Sequence, residues 1–293
     1  MESKTLGLLQ IHSAVFLFGL AGLLGKIISV SPLFIVFGRT AFASLALAGL
    51  IALTRTPVRF KSVRDLFVLI VIGIILALHW FAFFQSIHVS TVAIGLITFS
   101  TFPLFVTFME PYFFKERLTG FNIVLAVFVF IGLILVVPSF DLSNNITQGV
   151  IWGVLAGFTF AVLSLLNRKY VGSYRSTVIA LFQNSIATLV LLPWVLITEC
   201  RPQPLDYILI PFLGIFCTAA AHTLFIKSLS QIKAQLASLI AGLEPVYGIV
   251  LAMIILKEIP AIRTWMGGAI ILGVIFIATG RRQPKRLEDQ EPA

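Results

Sequence analysis

The segment FLFGLAGLLGK, residues 16–26, is repeated in outline by FTFAVLSLLNR, residues 158–168, after a shift of 142 positions. Both segments carry two phenylalanines two residues apart, then a leucine-rich run, and both end on a basic residue. The same shift carries Pro103 onto Pro245. The chain is therefore predicted to contain two copies of one unit.

Composition indicates that both copies lie in a membrane. Of 293 residues, 59% are hydrophobic and only 11% are charged, whereas soluble domains carry about 25% charged residues. The apolar stretches are continuous and about 20 residues long, the length that an α-helix needs to cross a bilayer. Strands of a membrane barrel would instead alternate between apolar and polar residues. The predicted fold class is an all-α integral membrane protein.

Hydropathy predicts ten transmembrane helices, five in each copy. They lie at roughly 6–28, 32–53, 66–87, 91–114, 120–138, 149–170, 177–197, 206–227, 234–256 and 264–280. Because five is an odd number, the second copy must enter the membrane the opposite way up. The ten helices are thus predicted to form two inverted five-helix repeats, an arrangement that recurs in secondary transporters.

The domain boundaries follow from these spans. Residues 1–138 form the first repeat and residues 149–282 the second, with a polar linker at 139–148. The polar tail, residues 283–293, is predicted to be disordered because it has too few apolar residues to build a core.

The net charge of +9 is explained by membrane orientation. If the N-terminus is cytoplasmic, most of the 21 Lys and Arg residues fall in cytoplasmic segments, as the positive-inside rule requires. Both termini are therefore expected in the cytoplasm, and no nucleic-acid partner is needed to account for the charge. The absence of targeting signals and long loops favours a bacterial inner membrane.

Two corresponding stretches carry a family resemblance. SIHVSTVAIGLITFSTFP, residues 86–103, is followed by Lys115–Glu116, and SLSQIKAQLASLIAGLEP, residues 228–245, is followed by Lys257–Glu258. This pattern resembles the EamA-type repeat of the drug/metabolite transporter superfamily, over nearly the whole chain. The resemblance implies ten helices in inverted repeats, a central cavity and transport of a small metabolite. It does not specify the metabolite.

Two ionisable residues within predicted spans are the main candidates for substrate binding. An ionised Glu244 facing lipid would cost about 2.5–3.5 kcal/mol, so it is expected to face a cavity or a partner. A protonated Glu244 that locks a proline kink is the structural alternative. Arg39 suits a carboxylate or phosphate clamp, or else snorkels to the outer interface. Asn184 lies one turn beyond Leu181, the position that the shift matches to Arg39.

Histidines and aromatic residues extend the candidate set. A histidine can relay protons near neutral pH, although one within a span is more often hydrogen-bonded to nearby backbone. An aromatic wall beside a carboxylate would suit an ammonium group through cation–π attraction. The predicted substrate-binding residues are Arg39, His79, Trp80, Phe83, Thr101, Asn184, His222, Glu244 and Tyr247.

Other residues are expected to have structural roles. Glu116 and Glu258 are predicted to accept hydrogen bonds from unpaired N–H groups of the helix that follows each. Small residues four apart, Gly153, Gly157 and Ala161, indicate close helix packing. In the first span, a comparable part is expected of Gly19, Gly22 and Gly25.

The sequence therefore predicts a secondary transporter for a small metabolite, such as an amino acid or an amphiphilic amine, that works by alternating access. Export is the expected direction, and coupling is either to protons or absent. A facilitative channel and a lipid-handling protein are the alternatives. No nucleotide-binding loop, catalytic motif or metal-ligand spacing occurs, so no enzyme activity, cofactor or metal is expected. The bilayer and the substrate are the expected partners, and a homodimer is left open.

Overall fold

The computed structural model describes residues 2–58, 62–114, 120–137, 141–170, 174–228, 231 and 240–280. Within these ranges the secondary structure is helical, without strands. The prediction of an all-α fold is confirmed.

Twelve α-helices and one π-helical segment are described, in chain order. They are α1 Glu2–Ile27, α2 Pro32–Leu53, α3 Val63–Val89, α4 Val92–Phe99, α5 Phe102–Phe114, α6 Gly120–Val136, α7 Asn145–Tyr170, α8 Ser176–Ile197, α9 Asp206–Gly214, the π-helical segment Ile215–Ala220, α10 Ala221–Ser228, α11 Glu244–Ile255 and α12 Ile262–Gly280.

Seven apolar helical segments among the described residues are long enough to cross a membrane. They are Thr5–Ile27, Pro32–Leu53, Val63–Val89, Val92–Met109, Asn145–Asn167, Ser176–Ile197 and Asp206–Phe225. Three shorter apolar helices, Gly120–Val136, Glu244–Ile255 and Ile262–Ile277, fall where the sequence predicts further spans. The protein is a multi-pass membrane protein, and the count of ten crossings stays a prediction.

Two of the predicted spans are interrupted. The predicted span at 91–114 corresponds to the apolar segment Val92–Met109, and its helix is interrupted at Ser100–Thr101, between α4 and α5. In the second half, Ile240 and Ala241 are helical, Gly242 and Leu243 form a turn, and α11 begins only at residue 244. Each break lies just before a proline, Pro103 or Pro245, which has no N–H group to continue the helical hydrogen-bond ladder.

The helices pack into one bundle around a shared apolar core. Helix α1 packs against α10 and α11, and α7 packs against α3, α4 and α5. Helix α2 packs against α8, and α6 packs against α12. The largest cluster of buried apolar side chains draws on α1, α2, α3, α4 and α7 together, so the two halves of the chain share a core.

Glycine is required where α1 crosses α11. A Cβ atom at Gly19 would lie 2.9 Å from the carbonyl oxygen of Glu244 and 2.9 Å from the amide nitrogen of Gly248, both backbone atoms. The expected role of Gly19 in close helix packing is thus confirmed at this crossing.

Gly19→Ala is expected to destabilise the protein by about 1–3 kcal/mol, because overpacking against backbone cannot be relieved by a rotamer change. Gly49→Ala is the matched control, since Gly49 also lies inside a helix and a Cβ there meets nothing within 4 Å among the described residues. Thermal unfolding in detergent measures both variants. Equal melting temperatures for the two would contradict the proposed crossing.

Candidate functional site

A cavity lies where helices of both halves meet. The lining residues come from seven helices: Phe18 and Ala21 from α1, Arg39 from α2, His79, Trp80 and Phe83 from α3, Phe99 from α4, Phe160 from α7, His222 from α10 and Glu244 from α11.

Arg39 is buried in this cavity, with only 2% of its surface exposed. Its Nε atom donates a hydrogen bond of 2.9 Å to Oγ1 of Thr218. Its guanidinium carbon lies 4.0 Å from the ring centroid of Trp80 and 5.1 Å from that of Phe84. The alternative of snorkelling to the interface is therefore wrong, because neighbouring helices hold the side chain inward.

Glu244 lies at the first position of α11, and Pro245 follows it. Pro is favoured at the start of a helix, where its missing N–H would have no intrahelical partner. The carboxylate of Glu244 thus stands at the positive end of a helix dipole, which stabilises negative charge. Only 7% of the residue is exposed, so the structure places a buried acid in the same cavity as a buried arginine.

The two histidines that line the cavity are surrounded by aromatic rings. Nδ1 of His79 lies 3.0 Å from the carbonyl oxygen of Ala156. Because a carbonyl only accepts, Nδ1 carries the proton in this contact. The ring of His222 meets Phe18 and Trp80 edge-on, each at a centroid distance of 5.3 Å. His79 thus has the backbone bond expected of a structural histidine and also lines the cavity.

Six of the nine predicted binding residues line the cavity, and three do not. Oγ1 of Thr101 donates to the carbonyl oxygen of Thr98, at the break that follows α4. Nδ2 of Asn184 donates to the carbonyl oxygen of Ala180 on its own helix. Tyr247 packs edge-on against Phe16, with ring centroids 5.8 Å apart. These three remain predictions without a place among the lining residues.

Four lining residues were not predicted from the sequence: Phe18, Ala21, Phe99 and Phe160. The internal repeat carried a usable signal for two of them, because the 142-residue shift pairs Phe18 with Phe160. The same shift pairs Trp80 with His222, and all four of these paired residues line the cavity. Ala21 and Phe99 have no comparable signal.

Glu258 does not bind the helix that the sequence analysis predicted. Its Oε1 atom accepts a hydrogen bond of 3.4 Å from the backbone N–H of Ala93, at the start of α4. The acid therefore reaches a helix N-terminus in the other half of the chain. Lys115 and Glu116 lie outside the described residues.

The matching family model and two similar proteins are all described as transporters. A family model described as the EamA-like transporter family matches residues 5–137 and again residues 147–280. The uncharacterised transporter YxxF of Bacillus subtilis is 23% identical, over 97% of this chain and 93% of that protein. An S-adenosylmethionine uptake transporter of Rickettsia conorii is 26% identical, over 70% of this chain and 69% of that protein.

The fold also has a counterpart among solved structures. A crystal structure of a protein aligns with a TM-score of 0.66, over 95% of this chain and 96% of that one. The sequences are 18% identical, so this likeness shows a shared fold alone.

Proposed function

Because the chain belongs to the EamA-like transporter family, we propose that it is a secondary transporter that carries a small metabolite across the bacterial inner membrane by alternating access. The observation that supports this most strongly is the shared cavity, which places Arg39 and Glu244 together at the meeting point of the two halves. A buried cation and a buried acid are costly within a membrane, and such residues mark substrate and ion pathways.

The chemistry of the cavity favours a substrate that carries a positive charge, an anionic group and an apolar body. Glu244 would bind the positive charge, with Trp80 and the phenylalanines as aromatic faces. Arg39 would bind a carboxylate. Amino acids fit this description. S-adenosylmethionine, named for several relatives, fits it too, and is the first compound to test. Export was the expected direction and those relatives are named for uptake, so both directions are to be measured.

Ten crossings in two inverted halves are the proposed architecture. The family model matches the chain twice, and the helix breaks before α5 and before α11 are related by the 142-residue shift. The 142-residue shift relates α1 to α7 and α10 to part of α3, and both α1–α10 and α7–α3 pack together. It also relates α2 to α8 and α6 to α12, and the two helices of each of these pairs pack together. Interrupted helices at corresponding positions of two halves are typical of transporter binding sites.

Hydrogen bonds at the helix ends support the inversion. Nζ of Lys26, at the end of α1, donates to the carbonyl oxygens of Ile87 and Ser90, at the end of α3. Oγ of Ser86 donates to the carbonyl oxygen of Gly149, in the first turns of α7, at 2.6 Å. Helix α7 therefore begins at the end of the bundle where α1 finishes, as inverted repeats require.

The same end of the bundle carries contacts that would close the cavity to the outside. Lys26 joins α1 to the end of α3, and Glu258 joins the loop after α11 to the start of α4. With both termini in the cytoplasm, this is the outer end. Alternating access would break these contacts to open the cavity to the outside.

Purified protein in liposomes tests the proposal directly. We expect saturable flux of S-adenosylmethionine or of another metabolite that raises the melting temperature in a thermal-shift screen, because a ligand of the folded state stabilises it. Large single-channel currents would instead indicate a channel. Exchange of a fluorescent lipid without flux of any solute would indicate a lipid-handling protein.

A further inference from the structure

The span that contains α9 and α10 is distorted beside the cavity. Residues Ile215–Ala220 form a π-helical segment, a rare element that is frequently found at functional sites. Gly214 lets this segment approach α2, since a Cβ atom there would lie 2.8 Å from the carbonyl oxygen of Arg39. The distortion thus lies directly against the arginine of the cavity.

Thr218 lies within this segment and links it to Arg39. Oγ1 of Thr218 donates a hydrogen bond of 2.8 Å to the carbonyl oxygen of Leu213, five residues earlier. With its proton used in that bond, the hydroxyl oxygen accepts from Nε of Arg39 at 2.9 Å. Thr218 is fully buried, and such a chain of hydrogen bonds is strengthened away from water.

The same contacts fix the orientation of the guanidinium group. Thr218 occupies Nε, while the Trp80 ring lies over the guanidinium plane, 4.0 Å from its central carbon. Among the described residues Arg39 forms no ion pair. The two terminal nitrogens therefore remain available as a planar fork, the geometry that binds a carboxylate through two hydrogen bonds.

We propose that Thr218 is a positioning residue that holds Arg39 as a carboxylate receptor in the cavity. This inference rests on the proposed transport function and specifies how one part of its substrate is recognised. The carboxylate receptor is present in only one half of the chain, because the 142-residue shift relates Arg39 to Leu181 and Thr218 to Leu76. A substrate therefore binds in a fixed orientation, with its carboxylate towards α2 and its positive charge towards Glu244.

Benzoate and benzylamine are suitable probes, because both are small aromatic ions and only benzoate carries a carboxylate. Affinities are measured by thermal shift on the full-length protein in detergent. Thr218→Val is expected to weaken benzoate binding about tenfold, as for loss of a hydrogen bond to a charged group. Thr218→Ser keeps the hydroxyl and should bind benzoate like the wild type. Benzylamine affinity should be equal in all variants.

Thr223→Val is the matched control. Oγ1 of Thr223 also donates to a carbonyl oxygen of its own helix, that of Ala219, at 2.7 Å, and it makes no contact with Arg39 among the described hydrogen bonds. Benzoate affinity unchanged in Thr218→Val, or lowered equally in Thr223→Val, would overturn the inference. A wild type that transports a metabolite but does not bind benzoate would also overturn it and leave the proposed function standing. Benzoate binding that depends on Thr218, without flux of any solute, would overturn only the transport proposal.

Discussion

Arg39→Leu is expected to reduce substrate affinity about 100-fold, since breaking a buried hydrogen-bonded charge pair costs about 2–5 kcal/mol. Its melting temperature should be unchanged or higher than that of the wild type. The arginine is buried without an ion-pair partner among the described residues, and an arginine within a span costs about 2.5–3.5 kcal/mol. Replacement by leucine removes both the cost of burying the arginine and the group that binds the substrate carboxylate.

Two further variants make this result specific. Arg39→Lys keeps the charge without the planar fork, so affinity should recover only in part. Arg201→Leu is the control for loss of an arginine, because the Arg201 side chain is 91% exposed and pairs with Glu199 at 3.6 Å. Its affinity should match the wild type. Arg39→Leu protein that unfolds at a lower temperature but binds with full affinity would show that Arg39 serves stability alone.

Glu244→Gln is expected to abolish accumulation driven by a pH gradient while substrate exchange between loaded liposomes continues. A proton and a substrate ammonium would compete for the same buried carboxylate, so each displaces the other as the cavity changes sides. Lower pH on the substrate side should therefore weaken binding to the wild type, and this dependence should vanish in the variant. Flux into liposomes, with and without a pH gradient, measures both effects.

The control for this variant is Glu199→Gln, since the Glu199 side chain is 88% exposed in the loop before α9. It should accumulate substrate like the wild type. Flux that does not change with the pH gradient, in either the wild type or Glu244→Gln, would contradict proton coupling and indicate a facilitative carrier.

Six of the ten residues that line the candidate site could be predicted from the sequence. Burial cost places an ionisable residue of a span towards a cavity, and this reasoning found Arg39, Glu244, His79 and His222. The resemblance to EamA-type repeats within the drug/metabolite transporter superfamily is confirmed by the family match. The 142-residue shift between the repeats, applied to aromatic residues, would also have identified Phe18 and Phe160.

What sequence reasoning could not supply was contact between helices distant in the chain. Glu258 binds the start of α4 instead of its own following helix, because spacing along a chain does not say which N-terminus lies nearest in space. Hydropathy likewise did not reveal the break between α4 and α5, since Ser100 and Thr101 are only two polar residues in an otherwise apolar stretch. The partner of Arg39, Thr218, lies 179 residues away, and no local pattern connects them.

Thiol labelling from the two sides of the membrane tests the central claim of inverted halves. Val63 and Leu205 are related by the 142-residue shift, and they are 85% and 51% exposed. Each is replaced by cysteine in a Cys200→Ser background. Burial raises the pKa of the Cys200 thiol, but its partial exposure would still add background. Each variant is first shown to transport substrate.

A membrane-impermeant maleimide is then applied to intact cells and to permeabilised cells. Inverted repeats predict that Leu205→Cys is labelled in intact cells and that Val63→Cys is labelled only after permeabilisation. Labelling of both cysteines from one side would contradict the inversion and, with it, the alternating-access mechanism.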